Sequence, residues 1–124
     1  MNWTAAAAIA LCLAVMLGAF GAHALRGRLD AYSIGVYERA VFYHFVHALG
    51  LLAVSLLPRV LNVSSAWTMW VCALLFAGIV IFCGSLYVLA VTGVRGLGAI
   101  TPVGGLAFIA AWFLLAVSVL RSSR

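Results

Sequence analysis

The side chains most able to do chemistry are concentrated in residues 37–52, YERAVFYHFVHALGLL. This stretch places a carboxylate, an arginine, two tyrosines and two histidines at the start of an apolar segment. Polar groups are costly in hydrocarbon, so those that enter a membrane span usually face the protein interior and have a role there. Imidazoles in such a position can bind a metal or haem, or transfer protons.

The two histidines of this stretch, His44 and His47, are three residues apart, so a helix turns both toward one partner. Two histidines on one turn cannot supply opposite axial ligands of a haem, which would therefore also need His23 from the preceding apolar run. No carboxylate is placed to orient either ring, as a well-built metal site requires. We expect His47 to hydrogen-bond a neighbouring helix, with a redox subunit that uses His23 and His47 as an alternative.

The acidic residue of the stretch, Glu38, precedes His47 by nine residues, which puts the two on opposite sides of a regular helix. We therefore expect Glu38 to form an ion pair at the membrane surface, with a gate or anion-binding point as the functional alternative. The expected partners are Arg28, Arg95, or Arg39 of a neighbouring molecule. Further candidate polar positions are Tyr43, Ser85, Tyr87 and Thr101.

Ser85 and Tyr87 occur in an apolar run without an identifiable base, so we interpret Ser85 as a helix-contact residue rather than a nucleophile. Thr101 and Pro102 are typical of a helix N-cap followed by proline at the first helical position. Neither pattern indicates a catalytic site.

The composition identifies a membrane protein. The chain has 124 residues, of which 68% are hydrophobic and 7% charged, and a soluble domain of this size cannot bury so much apolar surface. Each span uses about 20 residues, so four spans occupy roughly 80. The net charge of +5 comes from seven arginines spread over the polar segments. Nucleic-acid binding needs a clustered basic face, so the expected partner is the lipid bilayer, and no cofactor is predicted.

The predicted fold is an all-α integral membrane protein with four antiparallel transmembrane helices in one bundle, forming a single domain over residues 1–124. We expect Asp30 or Ser33 to cap the second helix, and Pro58 with Arg59 to end it. The first apolar run also has a small-x-small sequence at residues 22–24, but it lacks the basic start of a signal peptide, so we expect it to be retained. The predicted spans are about 3–25, 33–57, 66–91 and 101–120.

Small residues at helical spacing predict close contacts between the spans. The cysteines, which have no metal-binding spacing, are interpreted as small buried hydrophobic residues. The predicted contact positions are Gly18, Gly21, Ala22, Gly78, Gly84, Gly104 and Gly105, and the cysteines are Cys12, Cys72 and Cys83.

The arginines give no membrane orientation, because four lie on one side of the predicted bundle and three on the other. A dual-topology antiparallel dimer would also have nearly equal numbers of arginines on the two sides of the membrane. The first group is Arg26, Arg28, Arg39 and Arg95, and the second is Arg59, Arg121 and Arg124.

Several motifs resemble those of one family. Residues 18–25, GAFGAHAL, are similar to the end of its first span, and Tyr43 with residues 47–49 matches its middle motif. Its longest motif is matched by FCGSLY at 82–87, TGVR at 92–95, GAITP at 98–102 and GLAF at 105–108. The chain thereby resembles, over nearly its whole length, the YgdD/YwdK-like family of small inner-membrane proteins, domain of unknown function four-two-three.

This resemblance implies four transmembrane helices in the bacterial inner membrane, with relatives in animals, and no established activity. The family usually has glutamine where this chain has His44, so we predict that His44→Gln is tolerated.

Three functions are therefore considered. The first, which we favour, is a non-catalytic membrane protein that acts through helix packing with itself or with membrane partners. The second is a small dimeric transporter or channel, suggested by the size and the flat charge distribution. It is weakened because the first span has no acidic residue. The third is the redox subunit described above.

Overall fold

The computed structural model describes residues 1–123, which form helices joined by short turns. No strand occurs within this range, which confirms the all-α prediction. Arg124, counted above among the arginines, lies outside the described residues. The elements are α1 (Trp3–Phe20), a π-helical turn (Gly21–Leu25), α2 (Ala31–Val60), α3 (Ser65–Gly78), a second π-helical turn (Ile79–Cys83), α4 (Gly84–Thr92), a 3-10 turn (Arg95–Ala99) and α5 (Thr101–Ser122).

These elements join into four helices that are long and apolar enough to cross a membrane, as predicted. The shortest has 23 residues, which corresponds to about 35 Å at 1.5 Å per residue and exceeds a hydrocarbon core of about 30 Å. The spans are Trp3–Leu25, Ala31–Val60, Ser65–Thr92 and Arg95–Ser122. We refer to them as the first to fourth spans.

The ends of α2 show how local chemistry sets a helix boundary. Asp30 is the N-cap, because its Oδ1 accepts a hydrogen bond of 2.8 Å from the backbone amide of Ser33. This bond holds the pKa of the Asp30 carboxyl below its ordinary value. The expectation that Pro58 and Arg59 end the helix is wrong, since α2 continues to Val60. A proline in the last turn removes one backbone hydrogen bond, and this loss does not stop the turn.

The start of α5 also differs from the prediction. The N-cap is Ile100, and Thr101 is the first residue of the helix. Ile100 already has helical dihedral angles because the 3-10 turn precedes it. The Thr101 hydroxyl is instead 2.7 Å from Ser85 Oγ, so it joins the fourth span to the third.

The second and third spans form the centre of the bundle. The α1 helix packs against α2, and α5 packs against α3 and the π-turn that follows it. Large apolar side chains elsewhere point outward, as a lipid-facing surface requires. The core joins Leu51 and Val54 of α2, Val71, Cys72 and Leu75 of α3, and Phe108 and Ala111 of α5.

Most of the predicted contact glycines are used inside the chain. Gly18 faces Val41 and Phe45, Gly21 faces Tyr37, Gly78 faces Phe108, and both Gly104 and Gly105 face Phe82. The prediction is wrong within this chain for Gly84, where an added Cβ would meet no atom within 4 Å. It is also wrong for Ala22, which is exposed. Gly84 faces the gap between the first and third spans, whereas Ala22 faces outward.

The burial predicted for the three cysteines is also confirmed at some positions and wrong at another. Cys72 and Cys83 are buried and unpaired, as interpreted from the sequence, whereas Cys12 is exposed. The expectation of burial is wrong for Cys12 because α1 packs mainly on one neighbour, so that its opposite side faces outward.

Candidate functional site

A groove runs between the first and third spans and has a volume of about 450 Å³. Its floor includes His44, from the α2 helix on which both spans pack. One wall comes from α1 and consists of Ala6, Ile9, Ala10, Leu13 and Leu17. The opposite wall consists of Phe76, Ile79, Val80, Cys83, Gly84 and Tyr87.

The helical repeat explains why these residues form two walls. On both spans the lining residues recur every three or four positions, which places them on one side of each helix. Ala6, Ala10 and Gly84 are small and leave room between the helices. The π-turn at Ile79–Cys83 forms the middle of one wall, and its wider i to i+5 hydrogen bonding is common near functional sites.

The polar groups at the floor are paired with each other. His44 Nδ1 lies 3.0 Å from the Tyr87 hydroxyl, and His44 is only 5% exposed. Tyr37 packs edge-on against Tyr87 with ring centroids 5.2 Å apart. The Tyr37 hydroxyl donates to the Leu17 carbonyl at 2.6 Å. The surface that the groove presents is therefore almost entirely apolar.

His47 lies in an aromatic cluster between α2 and α5. Its ring stacks on Phe108, with centroids 3.5 Å apart. Its Nδ1 is 2.8 Å from the Tyr43 carbonyl, to which it can donate. The predicted hydrogen bond to a neighbouring helix is therefore wrong, because the partner is one turn back in α2, and the neighbouring α5 is contacted through ring stacking. Tyr43 packs on the same cluster, with its ring 4.7 Å from that of Phe82.

The structure separates the histidines of the redox hypothesis. His23 is exposed in the π-turn that ends the first span. His47 is instead buried between the second and fourth spans, where its ring stacks on Phe108. Within residues 1–123, no group of three or more histidine, cysteine or acidic side chains could hold a metal. His23 and His47 therefore do not form one site.

Glu38 pairs with an arginine that sequence reasoning did not consider. Its Oε1 lies 3.8 Å from Arg26 Nη2, and both side chains are mostly exposed. The expected partners Arg28 and Arg95 are thus wrong, and pairing with Arg39 of a neighbouring molecule stays a prediction. Arg95 lies instead near Asp30, whose pKa its charge helps to lower. An exposed pair of this kind contributes little to stability.

Ser85 has the contacts of a residue that joins helices. Its hydroxyl donates to the Phe82 carbonyl at 2.9 Å and lies 2.7 Å from Thr101 Oγ1. These contacts agree with its interpretation as a helix-contact residue.

A strip of mostly small residues faces outward along the first span. It follows the helical repeat on the side away from α2, and all of its members are exposed. The strip, called the outer strip below, consists of Ala5, Ala8, Cys12, Val15, Ala19 and Ala22.

Sequence reasoning missed the groove itself. Its walls are ordinary apolar residues of α1 and the third span, and only the small residues Ala10 and Gly84 distinguish them from other lipid-facing positions. The pairing of His44 with Tyr87 joins residues 43 positions apart, and no local pattern in the sequence indicates it.

Comparison with known proteins identifies the family of this chain. The model of the family described as "Protein of unknown function (DUF423)" matches residues 17–105. The chain belongs to this family. In this DUF423 protein the matched region contains the floor of the groove and the wall formed by the third span, whereas most of the α1 wall precedes it.

The DUF423 chain is also similar to named relatives over nearly its full length. It is 48% identical over 116 residues to the UPF0382 membrane protein YwdK of Bacillus subtilis (strain 168), covering 92% of each chain. It is 46% identical over 114 residues to the UPF0382 membrane protein SH2409 of Staphylococcus haemolyticus (strain JCSC1435), covering 90% of this chain and 91% of the relative. No solved structure matches the chain. The resemblance inferred from the motifs is confirmed, and the protein is a small multi-pass membrane protein of an uncharacterised family.

Proposed function

We propose that this protein is a non-catalytic protein of the bacterial inner membrane that holds one hydrocarbon chain of a membrane lipid in the groove. The dimensions of the groove are the observation that carries the proposal. Its α1 wall extends from Ala6 to Leu17 and its opposite wall from Phe76 to Tyr87. Each wall covers eleven residue steps, so the groove is about 16 Å long.

The volume of about 450 Å³ divided by this length gives a cross-section of roughly 28 Å². A methylene chain is about 4–5 Å across when packed at normal contact distances, which corresponds to roughly 13–20 Å². A helix with its side chains is about 10 Å across and needs roughly 80 Å². The groove therefore has room for a single hydrocarbon chain along its length.

The chemistry of the groove supports the same occupant. His44 Nδ1 and the Tyr87 hydroxyl are hydrogen-bonded to each other, so the groove offers few unpaired polar groups to a ligand. Lipid tails are as apolar as leucine, so moving a tail from the surrounding bilayer into the groove gains little free energy from burial alone. We expect the groove to select among hydrocarbon chains by their shape, through van der Waals contacts with its walls.

The arrangement of polar groups supports a role without catalysis. Ser85, His44 and His47 each have a hydrogen-bond partner inside the protein. Among residues 1–123, no serine or cysteine is hydrogen-bonded to a histidine, as an activated nucleophile would be.

The proposal can be tested with a phospholipid that carries a photoreactive diazirine in its acyl chain. The full chain is reconstituted with this lipid, irradiated, and digested to locate the adducts by mass spectrometry. Gly84→Leu places a side chain in the groove, where an added Cβ meets no protein atom within 4 Å. Gly35→Leu is the matched control, because Gly35 is also an uncrowded helical glycine but lies outside the groove.

We expect adducts on the groove walls in the unmodified protein, their loss in Gly84→Leu, and their persistence in Gly35→Leu. Adducts distributed evenly around all four spans would contradict the proposal. So would equal labelling of the two variants.

The outer strip favours a second candidate function, packing against a second copy or another membrane protein. Small residues at this spacing allow helix backbones to approach closely. Cys12 lies within the strip and is exposed, whereas Cys72 and Cys83 are buried. Mild oxidation in the membrane should therefore give a disulfide-linked dimer that Cys12→Ser abolishes, if two first spans pack along the strip. A monomer under these conditions would exclude that dimer.

A further inference from the structure

A separate polar recess lies where the turn between α2 and α3 meets the last turns of α5. Its volume is about 220 Å³. It is on the opposite membrane surface from Asp30 and Glu38, because a single span separates it from each of them. The recess is lined by Asn62, Ser64, Trp67, Ser118, Arg121 and Ser122.

The most informative group of the recess is the hydroxyl of Ser118. Ser118 is 5% exposed, and its Oγ is buried with no hydrogen-bond partner in the described part of the chain. A buried hydroxyl without a partner is destabilising. Ser118 shares one side of α5 with Arg121 and Ser122, three and four residues later, and all three line the recess. The Ser118 hydroxyl is therefore an unpaired donor beside the recess.

The beginning of α3 provides further donors. Ser64 is the N-cap residue, but its side chain makes no capping hydrogen bond. The amides of the first turn of a helix have no acceptor within the helix, and they carry the positive end of its dipole. The α3 helix has 14 residues, so this end is a suitable place for an anion.

Arg121 supplies a full positive charge. Its guanidinium carbon lies 5.6 Å from the centre of the Trp67 ring, a cation–π contact that positions the guanidinium beside the recess. The only acidic side chains of the sequence are Asp30 and Glu38, which are at the other membrane surface. No acidic side chain is therefore available to neutralise Arg121.

We infer that the recess binds a phosphate group. The Ser122 hydroxyl already donates to the Ser118 carbonyl at 2.6 Å, but Arg121, the Ser118 hydroxyl and the first amides of α3 remain as donors. A phosphate accepts several hydrogen bonds at once, most strongly from arginine. Trp67 places the recess at the level of the lipid headgroups. The phosphate of an anionic phospholipid and free inorganic phosphate share this chemistry, and the experiment below distinguishes them.

The test uses native mass spectrometry of the full chain in a neutral detergent, titrated with phosphatidylglycerol. Arg121→Gln should weaken binding about tenfold, since it removes a charged hydrogen-bond donor. Arg59→Gln is the matched control, because Arg59 is an exposed arginine at the same membrane surface outside the recess. A glycosyl diacylglycerol, which has no phosphate, should bind more weakly than phosphatidylglycerol. Equal effects of the two arginine variants, or equal binding of the two lipids, would overturn the inference.

Ser118→Ala separates binding from folding. Because the Ser118 hydroxyl has no partner within residues 1–123, its removal should not lower the melting temperature in the absence of phosphate, but it should weaken phosphatidylglycerol binding. Unchanged lipid affinity in this variant would contradict a role for the hydroxyl. Displacement of the lipid by inorganic phosphate would support the inference and identify the phosphate alone as sufficient. Arginine-dependent lipid binding without such displacement would support it with the phospholipid as the ligand.

Discussion

Two adjacent glycines of α5 provide a sharp test of how the third and fourth spans pack. A Cβ added to Gly104 would lie 2.7 Å from Phe82 Cβ and 2.8 Å from Phe82 Cα. A Cβ added to Gly105 would lie 3.7 Å from the Phe82 ring, an ordinary contact. The first contact involves the backbone of Phe82, so no rotamer change can relieve it.

The two alanine variants should therefore differ in sign. Glycine to alanine in a helix interior adds about 1 kcal/mol of stability from helix propensity, and we expect Gly105→Ala to gain roughly 0.5–1 kcal/mol. In Gly104→Ala the helices must separate by roughly 1 Å to reach normal contact distances. Overpacking of this kind costs about 1–3 kcal/mol, and a clash with backbone favours the upper part of this range, so we expect a net loss of up to about 2 kcal/mol after the propensity gain.

The free energy of unfolding can be measured by titrating the protein from a mild detergent into SDS and following tryptophan fluorescence. Each variant serves as the control for the other, because the substitution and the helix are the same. Equal stability of the two variants, or a Gly104→Ala protein more stable than the original chain, would refute the predicted packing.

Two further predictions concern hydrogen bonds. Tyr87→Phe removes the hydroxyl bonded to His44 and should lower the free energy of unfolding by about 1 kcal/mol. His44→Gln should lower it less, because the glutamine amide can bond the same hydroxyl. The same SDS titration compares the two variants, and a larger loss in His44→Gln would count against the pairing. The hydrogen bond from the Ser33 amide holds the pKa of the Asp30 carboxyl below its ordinary value of 3.8. The stabilisation by this cap is therefore fully present above pH 3.8, and it is lost as the pH falls through the pKa of the folded state. Asp30→Asn keeps an N-cap acceptor, so its melting temperature should fall less on acidification, and identical acid profiles would contradict this.

The number and approximate limits of the spans could be predicted from the sequence, because apolar length and helix-capping chemistry are local properties. The Asp30 cap is an example. The predicted N-cap of α5, Thr101, is one residue later than the observed one. The Thr101 hydroxyl, which could have capped α5, instead contacts Ser85 in another span. Tertiary contacts replaced a local preference there.

The contacts between spans could not be predicted, because a helical repeat shows which residues share a side but not which helix that side meets. Gly78 and Gly84 look alike in the sequence, yet Gly78 packs against Phe108 and Gly84 opens into the groove. Glu38 was assigned three possible arginines and pairs with Arg26, just beyond the first span. The groove arises where two spans fail to close, and single-sequence patterns carry no signal for that.

The π-turn at Ile79–Cys83 has a consequence for how the length of the third span can vary. A π-turn corresponds to one inserted residue in an α-helix, so deletion of a single residue there would restore an uninterrupted α-helix. Because the wider turn absorbs the extra residue, the residues on either side of it would keep the sides of the helix that they face now. Deletion from a regular α-helical turn would instead rotate every later residue by about 100° around the helix axis, which would turn Ser85 away from Thr101 and Tyr87 away from His44. The third span thus tolerates loss of a residue at this turn better than elsewhere along its length.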